Sequence, residues 1–280
     1  MNHIEKQIKQ TAVPEELARR IEAIDTTIRD GGLDNPPSRK IAAFDLDNTL
    51  LDGDVGDAVF IQLKLDEQNG PLTIDGSPIP LSWKEYQDIL AREGKLTAYQ
   101  RITTAMAGIP LATLIKTTRK VMDCQLPFLQ WEGERIPVPA PNPMMLTLLE
   151  LLRKNGYDIY VISASNQFTV REVGQHDLSI PAPHCFGILP VLERNGDGTE
   201  ILSGQLERPL PITDGKADIY FAHISKDPPL VTGGDSDTDI YLMNLTHPRG
   251  LTIWRGDSGK KFQYIDRNIQ HRDTLFTTNF

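Results

Sequence analysis

Short apolar runs that end in polar residues recur along this chain and predict the strands of a sheet. Residues 41–44 are apolar at every position, which is typical of a strand buried on both faces of a parallel sheet. Segments with helical periodicity separate this run from later ones, and strands that alternate with helices indicate an α/β fold. The predicted core strands cover residues 41–47, 157–162, 229–234 and 251–255, and the predicted core helices cover residues 144–155, 215–224 and 237–244.

Residues 54–140 interrupt this alternation and predict a helical insertion. Ser82 is a helix-capping residue type before a helix that reaches about Arg92, and further helices are predicted at 96–107 and 111–122. The proline-rich stretch 137–143 returns the chain to the core as a stiff hinge. The predicted domains are an N-terminal helical extension (1–38), a core (39–53 and 141–280) and an inserted cap (54–140).

The two ends of the chain and one internal turn complete the pattern. Residues 14–29 have apolar side chains on one helical face, and a linker follows at Pro36. Such a helix either packs on the core or binds a partner. Residues 195–198 read Asn-Gly-Asp-Gly, which predicts a hairpin turn. The C-terminal residues Phe276 and Phe280 are expected to pack on the core.

Composition narrows the possible functions. The chain has 280 residues, 39% of them hydrophobic, which suffices for one large core and a smaller appended domain. A formal net charge of −9 disfavours nonspecific binding to nucleic acid or to an anionic membrane. Without a long apolar run or an apolar signal core, we expect a cytoplasmic protein. The two cysteines, Cys124 and Cys185, exclude a disulfide framework, and the oligomeric state stays open.

Two acids at the end of the first apolar run are the first candidates for chemistry. Asp45 and Asp47 lie two residues apart, so in an extended strand both carboxylates point to the same side. Like charges this close need a cation or a reacting group between them. A calcium loop of the EF-hand type is excluded, because Leu50 and Gly56 stand where that loop needs glycine and glutamate.

Three further segments carry polar groups in the same chain order. Residues 161–165 end an apolar run with two serines, Lys216 opens a helical stretch, and residues 230–239 end another apolar run with acids. The chain thus carries four motifs in order: an Asp-x-Asp-x-Thr, a serine, a lysine, and a Gly-Asp-Ser with a second aspartate four residues after the first. This order resembles the haloacid dehalogenase (HAD) superfamily of phosphatases, in its phosphoserine phosphatase-like branch. The resemblance runs from about residue 39 to about residue 256. It implies a Rossmann-like parallel sheet core flanked by helices, with an inserted α-helical cap.

The resemblance implies catalytic roles for three residues. Asp45 would be the nucleophile, because an aspartate carboxylate can form an acyl phosphate. Asp47 would protonate the leaving oxygen and later take a proton from the attacking water. Lys216 would balance the charge of Asp45 and of the transferring group.

The same resemblance implies the groups that bind phosphate and metal. Thr49, Ser163 and Lys216 would bind the phosphate. Asp237 is expected to point into solvent, since side chains two apart on a helix do not share a face. The implied ligands of Mg²⁺ are oxygens: the Asp45 carboxylate, the Asp47 main-chain carbonyl, Asp235, and Asp239 directly or through water.

The inserted cap would select the substrate. In the phosphoserine phosphatases an acid nine positions after the nucleophile contacts the substrate amine, and here that position is Asp54. We expect a small phosphorylated metabolite with an amine or quaternary ammonium, such as phosphoserine, phosphoethanolamine or phosphocholine. The chain departs from that branch at Asn48 and at Ser-Ala-Ser in residues 163–165. Trp83 and Trp131 either pack in the cap or face a cationic head group.

Two other functions stay open. A phosphotransferase would use the same residues with an acceptor other than water. A catalytically silent HAD-fold module would bind a partner through residues 1–38 and the cap, although the complete set of catalytic residues favours the enzyme. Asp47 disfavours haloacid dehalogenation, because this second acid marks the phosphatases. The predicted function is therefore that of a Mg²⁺-dependent phosphomonoesterase with an aspartyl-phosphate intermediate.

Overall fold

The structure is a computed structural model that describes residues 15–31, 37–255 and 273–276. The predicted linker at Pro36 and the predicted packing of Phe276 and Phe280 side chains fall outside what it describes. Its α-helices are α1 (Glu15–Arg29), α2 (Val55–Glu67), α3 (Trp83–Glu93), α4 (Lys95–Thr104), α5 (Leu111–Met122), α6 (Pro143–Lys154), α7 (Gln167–Asp177), α8 (Asp214–His223) and α9 (Ile240–Met243). Its strands are β1 (Ile41–Phe44), β2 (Leu51–Asp52), β3 (Phe128–Trp131), β4 (Glu134–Pro137), β5 (Ala140–Pro141), β6 (Asp158–Asn166), β7 (Cys185–Ile188), β8 (Pro190–Arg194), β9 (Glu200–Leu206), β10 (Val231–Gly234), β11 (Leu251–Trp254) and β12 (Asp273–Phe276).

The chain divides into two compact units. The first contains Met1–Asp52, Pro141–Ile162 and Thr213–Phe280, and the second contains Gly53–Ala140 and Ser163–Ile212. The predicted division differs, because it placed residues 163–212 in the core. Contacts between segments distant in sequence account for the difference: the Gly108 amide donates to the Leu202 carbonyl at 2.8 Å. The functional division into extension, core and cap stays a prediction.

A parallel sheet runs through the first unit. Its strand order is β12-β11-β10-β1-β6, and each of these neighbouring pairs is parallel. β1 is buried along its whole length, and its Phe44 pairs with Gly233 of β10 and Val161 of β6. The predicted α/β fold with a parallel sheet is confirmed. β6 continues from Ser163 into the second unit, where β7 lies beside it.

Helix α1 packs within the first unit through its apolar face. Leu17 and Ile21 are fully buried. Asp25 accepts a hydrogen bond from the Tyr157 hydroxyl at 3.1 Å and forms an ion pair with Lys40 at 3.0 Å. Of the two roles considered for this helix, packing is the one observed.

The second unit contains the predicted helices of the insertion. Ser82 caps α3 in a capping box with Glu85, and α5 has the predicted bounds. α4 ends at Thr104, earlier than predicted. α2 was not predicted, because residues 58–63 are buried at successive positions and leave no amphipathic stripe. None of the helices in the described residues has the length and apolar character that crossing a membrane needs.

Two antiparallel hairpins also belong to the second unit. The predicted turn at residues 195–198 joins β8 and β9, and the Asn195 amide donates to the Thr199 carbonyl at 3.0 Å. β3 and β4 form a hairpin in a region predicted to have little strand character. Its turn residues Glu132 and Gly133 both have positive φ, 49° and 86°, as two-residue hairpin turns require. The prediction missed it because glutamate does not signal such a turn.

Candidate active site

The first unit brings two acids to the carboxyl edge of its sheet. Asp45 directly follows β1, and Asp235 directly follows the neighbouring strand β10. The Asp45 amide donates to the Gly233 carbonyl at 3.0 Å, which extends the ladder between the two strands to this edge. The carboxyl edge of a parallel sheet is where α/β proteins place their ligand sites.

The strand β1 ends earlier than predicted. It was expected to run through Asp47, but it stops at Phe44, and the Leu46 carbonyl then accepts hydrogen bonds from the amides of residues 49–51. Strand alternation therefore does not place the two acids on one side. In the turn that follows β1, the charge of Asp47 still acts on Asp45 and raises the pKa of its carboxyl.

Asp239 folds back toward the end of β10. Its Oδ2 accepts hydrogen bonds from the Asp235 amide at 3.1 Å and the Ser236 amide at 2.9 Å. Gly234 makes room for it, since a Cβ there would lie 2.4 Å from the Asp239 Cβ. Asp239 thus faces Asp235, and Asp237 is exposed as predicted.

Lys216 joins the acids of the two strands. Its side chain is 1% exposed, and Nζ donates to Asp45 Oδ1 at 2.5 Å and to Asp239 Oδ1 at 2.6 Å. Burial alone would lower the pKa of Lys216, but the carboxylates of Asp239 and Asp45 outweigh it and hold the pKa above its ordinary value. Lys226 is the next lysine along the chain, but it is exposed and donates to the Phe221 carbonyl. Lys216 is therefore the lysine that bonds the acids at the sheet edge.

Carboxylates outnumber the cation at this edge. Asp45, Asp235 and Asp239 each offer a carboxylate oxygen, and these oxygens all lie within 4.8 Å of one another. Burial is the largest cause that raises the pKa of Asp45 to about 8; Asp239 and Asp47 add to it, and Lys216 opposes it. A buried excess of negative charge with hard oxygen donors fits Mg²⁺.

Thr49 lies beside the acids in the first unit. It is 1% exposed, and its Oγ1 donates to Asp235 Oδ1 at 3.3 Å. The hydroxyl thereby orients one of the candidate metal ligands. The phosphate-binding roles predicted for Thr49 and Lys216 stay predictions.

Two predicted site residues, Ser163 and Asp54, belong to the second unit. Ser163 is fully buried on β6, and its Oγ accepts a hydrogen bond from the Ser165 amide at 3.0 Å. Asp54 caps α2, because its Oδ1 accepts from the Asp57 amide at 2.9 Å. Asp54 therefore has a structural role that was missed together with α2. The predicted contacts of Ser163 with phosphate and of Asp54 with an amine stay predictions.

Aromatic residues of the second unit lie near the start of α3 and in the β3–β4 hairpin. Trp83 is buried, and its ring lies 5.2 Å from the Tyr86 ring, which favours its packing role. The buried Trp131 Nε1 has no hydrogen-bond partner among the residues that the structure describes. The Tyr86 side chain hydrogen-bonds to Asp57, a residue that sequence reasoning missed. Asp57 lies three residues after Asp54, so a predicted helix α2 would have placed the two acids on the same helical face.

Comparison with known sequences agrees with this geometry. A profile of the haloacid dehalogenase-like hydrolase family matches residues 42–244. This match covers more than half of the chain and includes every acid at the sheet edge described above. A search of curated protein sequences finds no significant match.

Solved structures show where the same fold occurs. A protein of unknown function from Bordetella pertussis Tohama I is 15% identical, with a TM-score of 0.56 over 85% of this chain and 99% of that chain. A HAD family hydrolase from Salmonella enterica subsp. enterica serovar Typhi is 13% identical, with a TM-score of 0.53 over 90% and 75%. A probable phosphoserine phosphatase from Vibrio cholerae is 13% identical, with a TM-score of 0.50 over 85% and 60%. At these identities the likeness concerns the fold alone.

The family therefore rests on the sequence profile, and the geometry is consistent with it. The profile spans β1 and β10, whose carboxyl ends carry Asp45 and Asp235, and it spans α8, which carries Lys216. Because these three residues meet at one edge of the sheet, the matched region and the candidate site are the same part of the molecule. This chain belongs to the haloacid dehalogenase-like hydrolase family.

Proposed function

We propose that this protein is a Mg²⁺-dependent phosphomonoesterase that forms an aspartyl-phosphate intermediate on Asp45. One observation carries the proposal: Lys216 is buried between Asp45 and Asp239, next to Asp235. Membership of a hydrolase family supports a reaction with water. The proposed substrate is a small phosphorylated metabolite.

The chemistry of phosphate esters explains why such a cluster is suited to the reaction. A phosphate monoester hydrolyses very slowly unaided, because its negative oxygens repel an anionic nucleophile. A catalyst must place a nucleophile in line with the leaving group and balance the charge. Asp45 supplies the carboxylate, and Lys216, bonded to its Oδ1, supplies a fixed positive charge.

The first displacement transfers the phosphoryl group to the protein. The Asp45 carboxylate attacks phosphorus, a new bond forms between an Asp45 oxygen and phosphorus, and the bond to the leaving oxygen breaks. Asp47 donates its proton to that oxygen, so the leaving group departs as an alcohol. Asp47 is half-buried in the turn after β1, within electrostatic reach of Asp45.

The second displacement returns the protein to its starting state. Asp47, now ionised, takes a proton from a water molecule whose oxygen attacks phosphorus. The bond between phosphorus and Asp45 breaks, which releases inorganic phosphate and the free carboxylate. Two displacements at one phosphorus let the same acid serve in both steps.

The acids at the sheet edge would hold Mg²⁺. In this proposal the ligands are the Asp45 carboxylate, the Asp47 main-chain carbonyl, Asp235 and Asp239. When bound, the ion would neutralise negative charge on the phosphoryl oxygens. Asp239 has Oδ2 bonded to two amides and Oδ1 to Lys216, which supports its contact with the ion through water.

The proposed substrate class is an amino-alcohol phosphate: phosphoserine, phosphoethanolamine or phosphocholine. Its support is Asp54, an acid at the start of α2 with a second acid, Asp57, one turn further on. Two carboxylates at one helix start favour a cationic group over a neutral one.

Phosphate release from a panel of phosphorylated metabolites in the presence of Mg²⁺ tests the proposal. The wild-type protein should hydrolyse small monoesters, with amino-alcohol phosphates as the best substrates. Capture of the phosphoryl group by added alcohols in preference to water would identify a phosphotransferase instead. Absence of release from every member of the panel would leave the silent binding module.

A further inference from the structure

Arg255 is the first residue after β11, at the same carboxyl edge as the acids. Its amide donates to the Gly234 carbonyl at 2.8 Å, which extends the β10–β11 ladder by one residue. Its side chain, 19% exposed, reaches the turn that follows β1: Nη1 donates to the Thr49 carbonyl at 2.7 Å and to the Leu51 carbonyl at 3.3 Å. Nη2 donates to Asp52 Oδ1 at 2.6 Å.

Asp52 connects this contact to the points where the chain leaves and re-enters the first unit. It is the last residue of the first unit before the chain enters the second unit, and its carboxylate accepts two hydrogen bonds from Asn142 Nδ2, at 2.9 and 3.2 Å. Asn142 lies where the chain returns, and its amide donates to the Leu50 carbonyl at 2.9 Å. The Arg255 guanidinium therefore bonds the turn after β1 and Asp52, where the chain leaves the first unit. Through Asp52 it is also connected to Asn142, where the chain re-enters that unit.

We infer that Arg255 is a positioning residue for the reaction, which rests on the proposed function above. It acts through residues 46–52, the segment that carries Asp47 and Thr49. Thr49 is held on both sides, since its carbonyl accepts from Arg255 and its hydroxyl donates to Asp235. Fixing this segment fixes the place from which Asp47 exchanges its proton.

The chemistry of the contacts suits arginine and no other residue. Buried carbonyls in a turn need donors, and the planar guanidinium offers several in fixed directions. Lysine has a single nitrogen, so it cannot serve the Thr49 carbonyl and Asp52 with the same geometry. The effect on the reaction should fall on kcat, because a displaced Asp47 slows proton transfer and leaves ground-state binding of the phosphate nearly unchanged.

The test compares Arg255→Gln and Arg255→Lys with Arg39→Gln in the full-length protein with Mg²⁺. Arg39 is a matched control, because it bonds Asp158 and Tyr160 in the same unit at the amino end of β6. Arg255→Gln should lower kcat by about 10- to 100-fold with little change in KM. Arg255→Lys should recover part of the loss, and Arg39→Gln should keep kcat within about twofold.

Amide hydrogen exchange supplies a readout that is independent of activity. In Arg255→Gln the peptide over residues 46–52 should exchange faster, whereas a peptide from α3 should not change. If that variant does not fold, Asp52→Asn provides the test. It removes the negative charge that Arg255 Nη2 contacts and keeps a side-chain oxygen that can accept a hydrogen bond from Asn142. Asp52→Asn should lower kcat by about 3- to 10-fold, less than Arg255→Gln, because the carbonyl contacts remain.

The outcomes separate this inference from the function on which it rests. An inactive wild-type protein would overturn the proposed function and the positioning role together. With an active wild-type protein, unchanged exchange at residues 46–52 in the arginine variant overturns the positioning role alone. Equal acceleration of exchange throughout the protein overturns it as well, because the arginine would then serve general stability.

Discussion

Two lysines of the first unit lie at opposite ends of the same sheet and differ in what surrounds them. Lys40 precedes β1, and its half-buried ammonium contacts Asp25 and the Asn155 carbonyl, both at 3.0 Å. The Tyr157 ring lies 5.5 Å from it, and the hydroxyl of that ring bonds the same Asp25. Lys216 lies at the other end, 1% exposed, between two carboxylates.

The balance of charge separates the two clusters. In the described part of the chain, Lys40 pairs with the carboxylate of Asp25, and two neutral groups, the Asn155 carbonyl and the Tyr157 hydroxyl, bond to these partners. At Lys216 one cation faces Asp45 and Asp239, with Asp235 and Asp47 close by. Buried like charges cost free energy and persist where a ligand uses them. An excess of one charge, more than burial itself, distinguishes a functional cluster from a structural one.

Asp45→Asn should produce the largest effect at the Lys216 cluster. It removes the nucleophile at nearly constant volume, so kcat should fall by about 10³-fold or more. Steady-state phosphate release measures it, and circular dichroism checks that the fold is kept. The matched control is Asp158→Asn at the amino end of the sheet, where the carboxylate bonds Arg39 and kcat should hold. Retained activity above a few per cent in the nucleophile variant contradicts the mechanism.

Removal of divalent ions should abolish the activity of the site at the carboxyl edge and leave the contacts of Lys40 unchanged. A chelator should abolish phosphate release, and added Mg²⁺ should restore it. Ca²⁺ should support a rate at least about tenfold lower, because its larger, looser coordination shell misplaces Asp45. Equal rates with the two ions would count against the assignment of the ligands.

Asp54→Asn sharpens the comparison with an acid that already has a structural role. Asparagine also caps helices well, so α2 should stay intact while the charge is lost. If Asp54 pairs with an amine, kcat/KM for amino-alcohol phosphates should fall roughly 5- to 150-fold, which corresponds to a loss of about 1–3 kcal/mol of transition-state stabilisation. Glycerol phosphate is the control substrate and should change little. Equal losses on both substrates would make Asp54 a structural residue only.

Lys40→Met should affect stability and spare the reaction. Without Lys40, Asp25 loses this ion pair and keeps the hydrogen bond from the Tyr157 hydroxyl, so the free energy of unfolding should fall by about 1–3 kcal/mol. Urea unfolding measures this loss. A large fall in kcat at unchanged stability would show that the two clusters do not differ as described.

The smallest expected effect is a pH-dependent gain of stability in metal-free Asp45→Asn. The folded protein keeps the Asp45 proton up to its pKa of about 8, whereas the unfolded chain releases it near 3.8. Wild-type stability should therefore fall as the pH rises through this window, and the asparagine variant should escape that fall. In chelator, its Tm advantage over the wild-type protein should grow between pH 5 and pH 8, and thermal unfolding at both pH values measures it. A difference in Tm that does not change with pH, or the same pH trend in Asp158→Asn, would show that the Asp45 proton is not the cause.

Local signals were sufficient to find most of the site in the first unit. Asp45 and Asp235 each follow an apolar run, and Lys216 stands at the start of a helix between them. Parallel strands place their carboxyl ends at one edge, so the order of the runs predicts that these groups meet. Arg255 gives the same signal after β11, but its partner Thr49 lies too far away in sequence for any local pattern to reveal the contact.

The sequence by itself determined the parallel α/β fold, the family and the polar groups at the strand ends, because periodicity and side-chain chemistry are local properties. Only the tertiary structure decided that β1 stops at Phe44, that Asp54 caps a helix, and that residues 163–212 join the second unit. It also decided the raised pKa of Asp45, which depends on exclusion of water. These features depend on which distant segments pack together, and that is a property of the folded chain.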